Sequence, residues 1–160
     1  MYLHPVYQMQ NEAINRIKEI AEPIVSQRDM FLVDVEIKHQ KTPEIWLYVD
    51  SEEKDVNLDE CSEISKEVGR LLDLEELFGG SYRLNVSSPG LSRPLTDRRQ
   101  YPKNVERQLK IKYRQEGEYK TVKGELKQVG SDRVKLLQTD EKEVDILFDD
   151  IVESKVIPKI

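Results

Sequence analysis

The stretch YRLNVSSPGLSRPL, residues 82–95, joins an alternating strand, a forced turn and an arginine set against a proline. Tyr82, Leu84 and Val86 alternate with Arg83, Asn85 and Ser87, the period of a strand with one buried face. Pro89 presets the φ wanted at the second position of a turn, and Gly90 accepts the positive φ wanted at the third. A type II turn over Ser88, Pro89, Gly90 and Leu91 is therefore expected to end the strand, with Arg93 following at once.

Upstream of this stretch, Ala13, Ile14, Ile17, Ile20, Ala21, Ile24 and Val25 recur at helical spacing and predict an amphipathic helix over about residues 8–26, bent or ended near Pro23. Phe31, Val33, Val35 and Ile37 alternate with Leu32, Asp34, Glu36 and Lys38, and a turn signal at residues 41–43 leads to a second strand over 45–50, so the two are expected to pair as a hairpin. Asn57 with Glu60 three residues on is a capping box, and Val56 and Cys61 stand where a hydrophobic staple places them. Leu58, Cys61, Ile64, Val68, Leu71 and Leu72 give the second helix its expected buried stripe. Gly79 and Gly80 break the chain before the strand at Tyr82. The order α-β-β-α-β predicts helices covering one face of a three-stranded sheet, an α+β layer of the KH-like or ferredoxin-like kind, although no GXXG loop of a KH domain is present. Trp46 and Tyr48 point away from Ile45, Leu47 and Val49. That pair is expected to close the sheet, with an interdomain or partner contact as the less common alternative.

Downstream the texture changes to short strands between turn residues, over 109–113, 120–129, 133–138, 143–148 and 152–158. Five such strands in about fifty residues suit a small closed barrel, which removes exposed edges. The expected organisation is a first domain over 1–91, a basic linker over 92–107 and the barrel over 108–160.

The chain has 160 residues, 38% of them apolar and 35% charged, and can bury a core. It holds no apolar run of membrane-spanning length, and its first ten residues lack the layout of a secretion signal, so a cytoplasmic location is expected. Cys61 is the only cysteine, which leaves neither a disulfide nor a thiolate zinc site; no metal or other cofactor is expected. The formal net charge of −6 hides an asymmetry. Residues 1–90 carry 9 basic against 18 acidic side chains, whereas residues 91–160 carry 16 against 13. Residues 93–123 alone hold ten basic side chains against four acidic ones. A basic patch holds phosphates, while an acidic face meets basic protein or keeps a domain in solution.

Catalytic residues are not expected. The two histidines, His4 and His39, lie at a chain end and a hairpin edge, and Ser87 and Ser88 lack the glycine-flanked elbow of the α/β-hydrolases. Asp50, Glu52, Glu53 and Asp55 lack the ligand alternation of an EF-hand and are expected to form a solvated acidic turn. No GxxxxGK[ST] or GxGxxG phosphate loop occurs. The basic residues Arg93, Arg98, Arg99, Lys103, Arg107, Lys110, Lys112 and Arg114 are candidates for holding RNA, since Lys110, Lys112 and Arg114 would share one strand face and track a phosphate backbone. A solvated face balanced by Glu116, Glu118 and Glu125 weighs about equally on charge alone. Tyr101 and Tyr113 are candidates for base stacking, although a core or rim place is commoner for tyrosines of a small barrel.

The run VSSPGLSRPL after a Y-x-L strand resembles the signature of the bacterial ribosome maturation factor RimP family. FLVDVEI (31–37), IWLYVDSEEKDVNLDECSEISKEVGRLLD (45–73), VKGELKQVGSDRVKLL and EVDILFDDIVESKVIP resemble the same family in order and spacing. The resemblance implies an N-terminal α/β domain and a C-terminal SH3-like or Sm-like barrel. It also implies a non-catalytic assembly factor for the free small ribosomal subunit, with a small-subunit protein near the decoding region as a contact; ribosomal RNA is the further expected partner, and a monomer with no DNA or membrane partner is expected. It carries Ser87, Ser88, Pro89, Gly90, Leu91, Arg93, Pro94 and Leu95 over as the family motif at the domain junction. Two positions depart from the pattern: Asn85 stands where an acidic residue is usual, and Arg28 and Asp29 stand where a glycine turn commonly precedes the first strand. A stand-alone RNA-binding regulator using an Sm-like barrel, and a protein adaptor unrelated to the ribosome, are the rival readings.

Overall fold

The structure, a computed structural model, describes residues 5–159, and side chains over 11–159. The chain divides into two compact units between Pro89 and Gly90, with Glu52–Lys54 counted in the second.

In the first unit, helix α1 (Pro5–Ser26), strands β1 (Phe31–Lys38) and β2 (Glu44–Asp50), helix α2 (Leu58–Glu75) and strand β3 (Arg83–Ser87) follow in the expected order. The sheet order is β1-β2-β3, with β2 antiparallel to β1 and parallel to β3. A parallel neighbour needs a crossover, which α2 supplies. Central strand β2 puts Ile45, Leu47 and Val49 into the core, where Ile17, Ala21 and Val25 of α1 and Ile64, Val68 and Leu72 of α2 meet them. Pro23 neither ends nor replaces a turn of α1, which runs on to Ser26. The helix then closes on a Schellman pair: the Met30 N–H donates to the Val25 carbonyl at 3.3 Å and the Asp29 N–H to the Ser26 carbonyl at 3.1 Å. Asp29 takes φ +57 there, the left-handed value that glycine accepts most easily.

Three details of this unit differ from the sequence expectation. A bulge between Leu32 and Asp34 shifts the phase of β1, so Leu32 rather than Val33 lies opposite Val49 and packs on the core, while Phe31 is buried opposite Asp50. The stripe of α2 is narrower than expected: Leu58, at the first helical position, and Leu71, one step off the 61-64-68-72 line, are exposed. The capping box itself is present, with the Glu60 N–H donating to Asn57 Oδ1 at 2.8 Å and the Asn57 N–H donating to Glu60 Oε1 at 3.3 Å. Lastly, Asp50 is buried at the end of β2 and accepts the Ser51 N–H at 2.8 Å, whereas Glu52, Glu53 and Asp55 are exposed.

In the second unit, β4 (Gln108–Gln115), β5 (Glu118–Val129), β6 (Arg133–Leu137), β7 (Glu143–Leu147) and β8 (Ile151–Val156) form one antiparallel sheet in the order β7-β6-β5-β4-β8. The outermost strands, β7 and β8, are joined by only the three-residue 3-10 turn η3 (Phe148–Asp150), which curls the sheet round on itself as in an SH3-like barrel. Strand β5 makes the curl possible. It pairs with β4 through its first part and with β6 through its last, with a bulge between Leu126 and Gln128. A Cβ at Gly124 would lie 2.7 Å from the Leu137 carbonyl oxygen, so the strands approach there only because the side chain is missing. Leu109, Ile111, Val122, Leu126, Val134, Leu136, Ile146 and Val156 fill the interior.

The segment expected as a linker is folded into this unit. It carries the 3-10 turns η1 (Arg98–Gln100) and η2 (Pro102–Asn104), buries Gln100, Tyr101 and Asn104, and ties the Leu95 N–H to the Ser154 carbonyl at 2.7 Å. Its charges pointed to a spacer, but its buried residues are polar or single aromatics without a period, a pattern that periodicity does not detect. The turn after Pro89 runs over residues 90–92, later than the type II turn expected, with Gly90 at φ +69.

Candidate nucleic-acid interface

The pattern of β4 separates its two faces cleanly. Leu109, Ile111 and Tyr113 point into the barrel, while Lys110, Lys112 and Arg114 point out and are exposed. The neighbouring strands extend this outer face through their register. Lys110 lies opposite Lys123 of β5 on one side and Lys155 of β8 on the other, so three lysines stand abreast across three strands. Lys112 lies between Thr121 and Glu153, and Arg114 lies opposite Tyr119. Like charges directly opposite each other weaken a sheet, and side chains at such positions are close enough to meet one ligand. Glu153 tempers the cluster, standing 3.4 Å from Lys155, and Glu125 pairs with Lys127 at 2.5 Å.

The β4-β5 hairpin fixes that register. Its two turn residues, Glu116 and Gly117, have φ +52 and +80, the signs of a type I′ turn, whose twist matches that of the flanking strands. The turn places Tyr119 on the outer face, 63% exposed and outside the barrel core. Lys112 Nζ is 5.1 Å and the Arg114 guanidinium 5.9 Å from its ring centre. Both distances are those of cation–π contacts.

Of the eight basic residues expected to hold RNA, the structure brings Lys110, Lys112 and Arg114 together and gives others different work. Arg98 donates to Asp149 at 2.9 Å and to the Ser131 carbonyl at 3.4 Å, and lies 4.8 Å from the Phe148 ring centre, so it pins η1 to two loops of its own barrel. Arg99 pairs with Asp97, the N-cap of η1, at 2.8 Å. Burial pushes the Asp97 carboxyl up, but the Arg99 guanidinium and backbone N–H outweigh it and hold the group below the usual carboxylate range. Arg107 donates to Asn104 at 3.0 Å. Arg93 and Lys103 are half-buried along the entry segment.

Tyr101 and Tyr113 are not available for stacking. Tyr101 is 3% exposed, edge-on to Phe148 at 5.1 Å, and its burial pushes the phenol up, with the Ser154 hydroxyl pulling weakly the other way. Tyr113 belongs to the same core. Sequence reasoning missed Lys123, Lys155 and Tyr119. Reading Glu-Gly as a two-residue turn would have put Lys123 and Tyr119 opposite Lys110 and Arg114; Lys155 depends on a pairing forty-five residues distant, which no local signal reveals.

The family motif falls on the end of β3 and the start of the second unit. The Ser87 hydroxyl donates to the Ser88 carbonyl at 2.8 Å, Pro89 is buried, Ser88, Pro94 and Leu95 are half-buried, and Leu91 is exposed. Asn85 lies opposite Trp46 on the sheet face away from the helices, where Trp46 and Tyr48 stack with ring centres 6.1 Å apart. His39 is exposed beyond β1, and His4 lies outside the described residues. Among the described residues no three His, Cys, Asp or Glu side chains converge to hold a metal ion, and no helix is long and apolar enough to cross a membrane. Burial raises the pKa of the Cys61 thiol, consistent with a core role. Residues 20–92 match the family model of the RimP N-terminal domain.

Proposed function

We propose, from the premise that this chain belongs to the RimP family through its matched N-terminal domain, that it is a non-catalytic, cytoplasmic assembly factor acting on the free small ribosomal subunit. The observation that carries the reading is the row Lys155-Lys110-Lys123 with Lys112 and Arg114 beside it on one exposed sheet face. Such a face gains free energy by releasing counterions from an RNA backbone, and its like-charge crowding is relieved when phosphates enter. The first ninety residues, with 18 acidic against 9 basic side chains, suit a basic ribosomal protein near the decoding region. Two modest contacts on one chain give avidity without a slow release from either. The reading leans on that row rather than on Arg98 and Arg99 of η1, which pair with Asp149 and Asp97.

Sedimentation at graded salt tests this reading. The protein is mixed with free small subunits, with joined ribosomes and with unrelated RNA. Co-migration with free small subunits alone is the expected result. Equal binding to every RNA favours a stand-alone RNA-binding regulator, and no association at low salt removes both readings.

A further inference from the structure

We infer that Tyr119 is a stacking platform for an unpaired base, so that the RNA held on this face is single-stranded where it passes the β4-β5 hairpin. The inference rests on the preceding reading that the face holds RNA, and goes further by naming the form of RNA and the residue that selects it.

Tyr119 contributes nothing to the barrel interior: it is 63% exposed and lies outside the core cluster that takes up Tyr101 and Tyr113. A surface tyrosine needs no explanation by itself, but this one is placed by a rigid I′ turn at the end of a cationic row, with Lys112 and Arg114 against its ring. Lys110, Lys112 and Arg114 follow each other every second residue, a step of about 6.8 Å along the strand. An extended RNA backbone running along β4 therefore meets a cation at each step and brings a base over Tyr119 at the hairpin end. The cations that rest on the ring in the free protein are the ones that would turn to phosphate, which frees a ring face for the base. Paired bases stay inside their own stack, so a duplex satisfies the lysines and leaves the ring unused.

The test compares two labelled probes by fluorescence anisotropy at low salt, a 12-nucleotide oligouridine and a blunt 12-base-pair RNA duplex. Against oligouridine, Tyr119→Ala is expected to weaken binding by about 5- to 150-fold, the range that stacking supplies. Tyr119→Phe keeps the ring and is expected to bind like the unaltered chain, and duplex binding should be the same in all three. The combined change Lys110→Gln, Lys123→Gln, Lys155→Gln should weaken both probes. Unchanged oligouridine affinity in Tyr119→Ala, with loss in the lysine variant, overturns the stacking role while leaving the RNA reading in place. A loss in Tyr119→Phe equal to that in Tyr119→Ala also overturns it, because the hydroxyl would then be the group that matters. If the unaltered chain binds neither probe, the underlying RNA reading fails and the inference with it. Circular dichroism of each variant separates loss of binding from loss of fold.

Discussion

Removing the charge of Lys110 should make the barrel more stable and the RNA complex weaker, two effects of opposite sign from one atom. Lys110 is the middle of the row and faces Lys123 and Lys155 directly. Each opposed like-charge pair costs roughly 0.2–1 kcal/mol, so Lys110→Gln should stabilise the second unit by roughly 0.4–2 kcal/mol at low salt. The screening length falls from about 10 Å at 0.1 M salt to about 3 Å at 1 M, so the gain between these close charges should shrink as salt is raised toward 1 M. Native-state hydrogen exchange at the Ile111 and Val122 amides reads this unit selectively, which a whole-chain melt of two units does not. On the binding side, one phosphate contact fewer should flatten the slope of log affinity against log salt by about 0.7 for a single strand. The reasoning is refuted if Lys110→Gln exchanges faster than the unaltered chain, or if its salt slope is unchanged.

Three further outcomes follow from the fold. Asp29→Gly relieves a left-handed residue at the end of α1, worth about 1–2 kcal/mol, against an unfolded-state entropy of about 0.4–1 kcal/mol; denaturant unfolding followed by Trp46 should show a net gain of roughly 0.5–1 kcal/mol. Gly124→Ala forces a Cβ against the Leu137 carbonyl and should cost at least the roughly 1–3 kcal/mol typical of overpacking, with faster exchange of β5 and β6 amides. The Tyr82 phenol donates to Asp73 Oδ1 at 2.6 Å, and burial, then that hydrogen bond, push its pKa up to about 12. A raised phenol pKa means that the native state holds the proton longer, so this contribution is whole below pH 10 and lost between about 10 and 12. Tyr82→Phe should show a shallower decline of stability over that window, and its absorbance titration at high pH should lack a late step.

Elements with strong local signals were legible in the sequence. The period of Ile17, Ala21 and Val25, the alternation of Ile45, Leu47 and Val49 and the capping box of Asn57 each report on neighbours in the chain, and each element formed where its signal lay. What failed depended on contacts across the chain. The bulge in β1 is set by pairing with β2, and the burial of Gln100, Tyr101 and Asn104 by a barrel wall still to come in the sequence. The basic residues show the same divide. Alternation put Lys110, Lys112 and Arg114 on one face, but charge alone did not separate them from Arg98 and Arg99, whose partners Asp149 and Asp97 only folding or local capping geometry identifies. Asp29, where the family pattern favours glycine, takes a φ that explains the preference: the position is a helix C-cap, and the aspartate tolerates it at a cost.

The most direct test of the account is sedimentation of free small subunits with the chain in which Lys110, Lys123 and Lys155 are changed to Gln, beside the unaltered chain and a chain with Arg98→Ala and Arg99→Ala. The account predicts that the unaltered chain co-migrates, that the lysine variant stays at the top of the gradient while keeping its circular dichroism spectrum, and that the arginine variant co-migrates to the extent that it remains folded. Co-migration of the folded lysine variant at undiminished occupancy would contradict it.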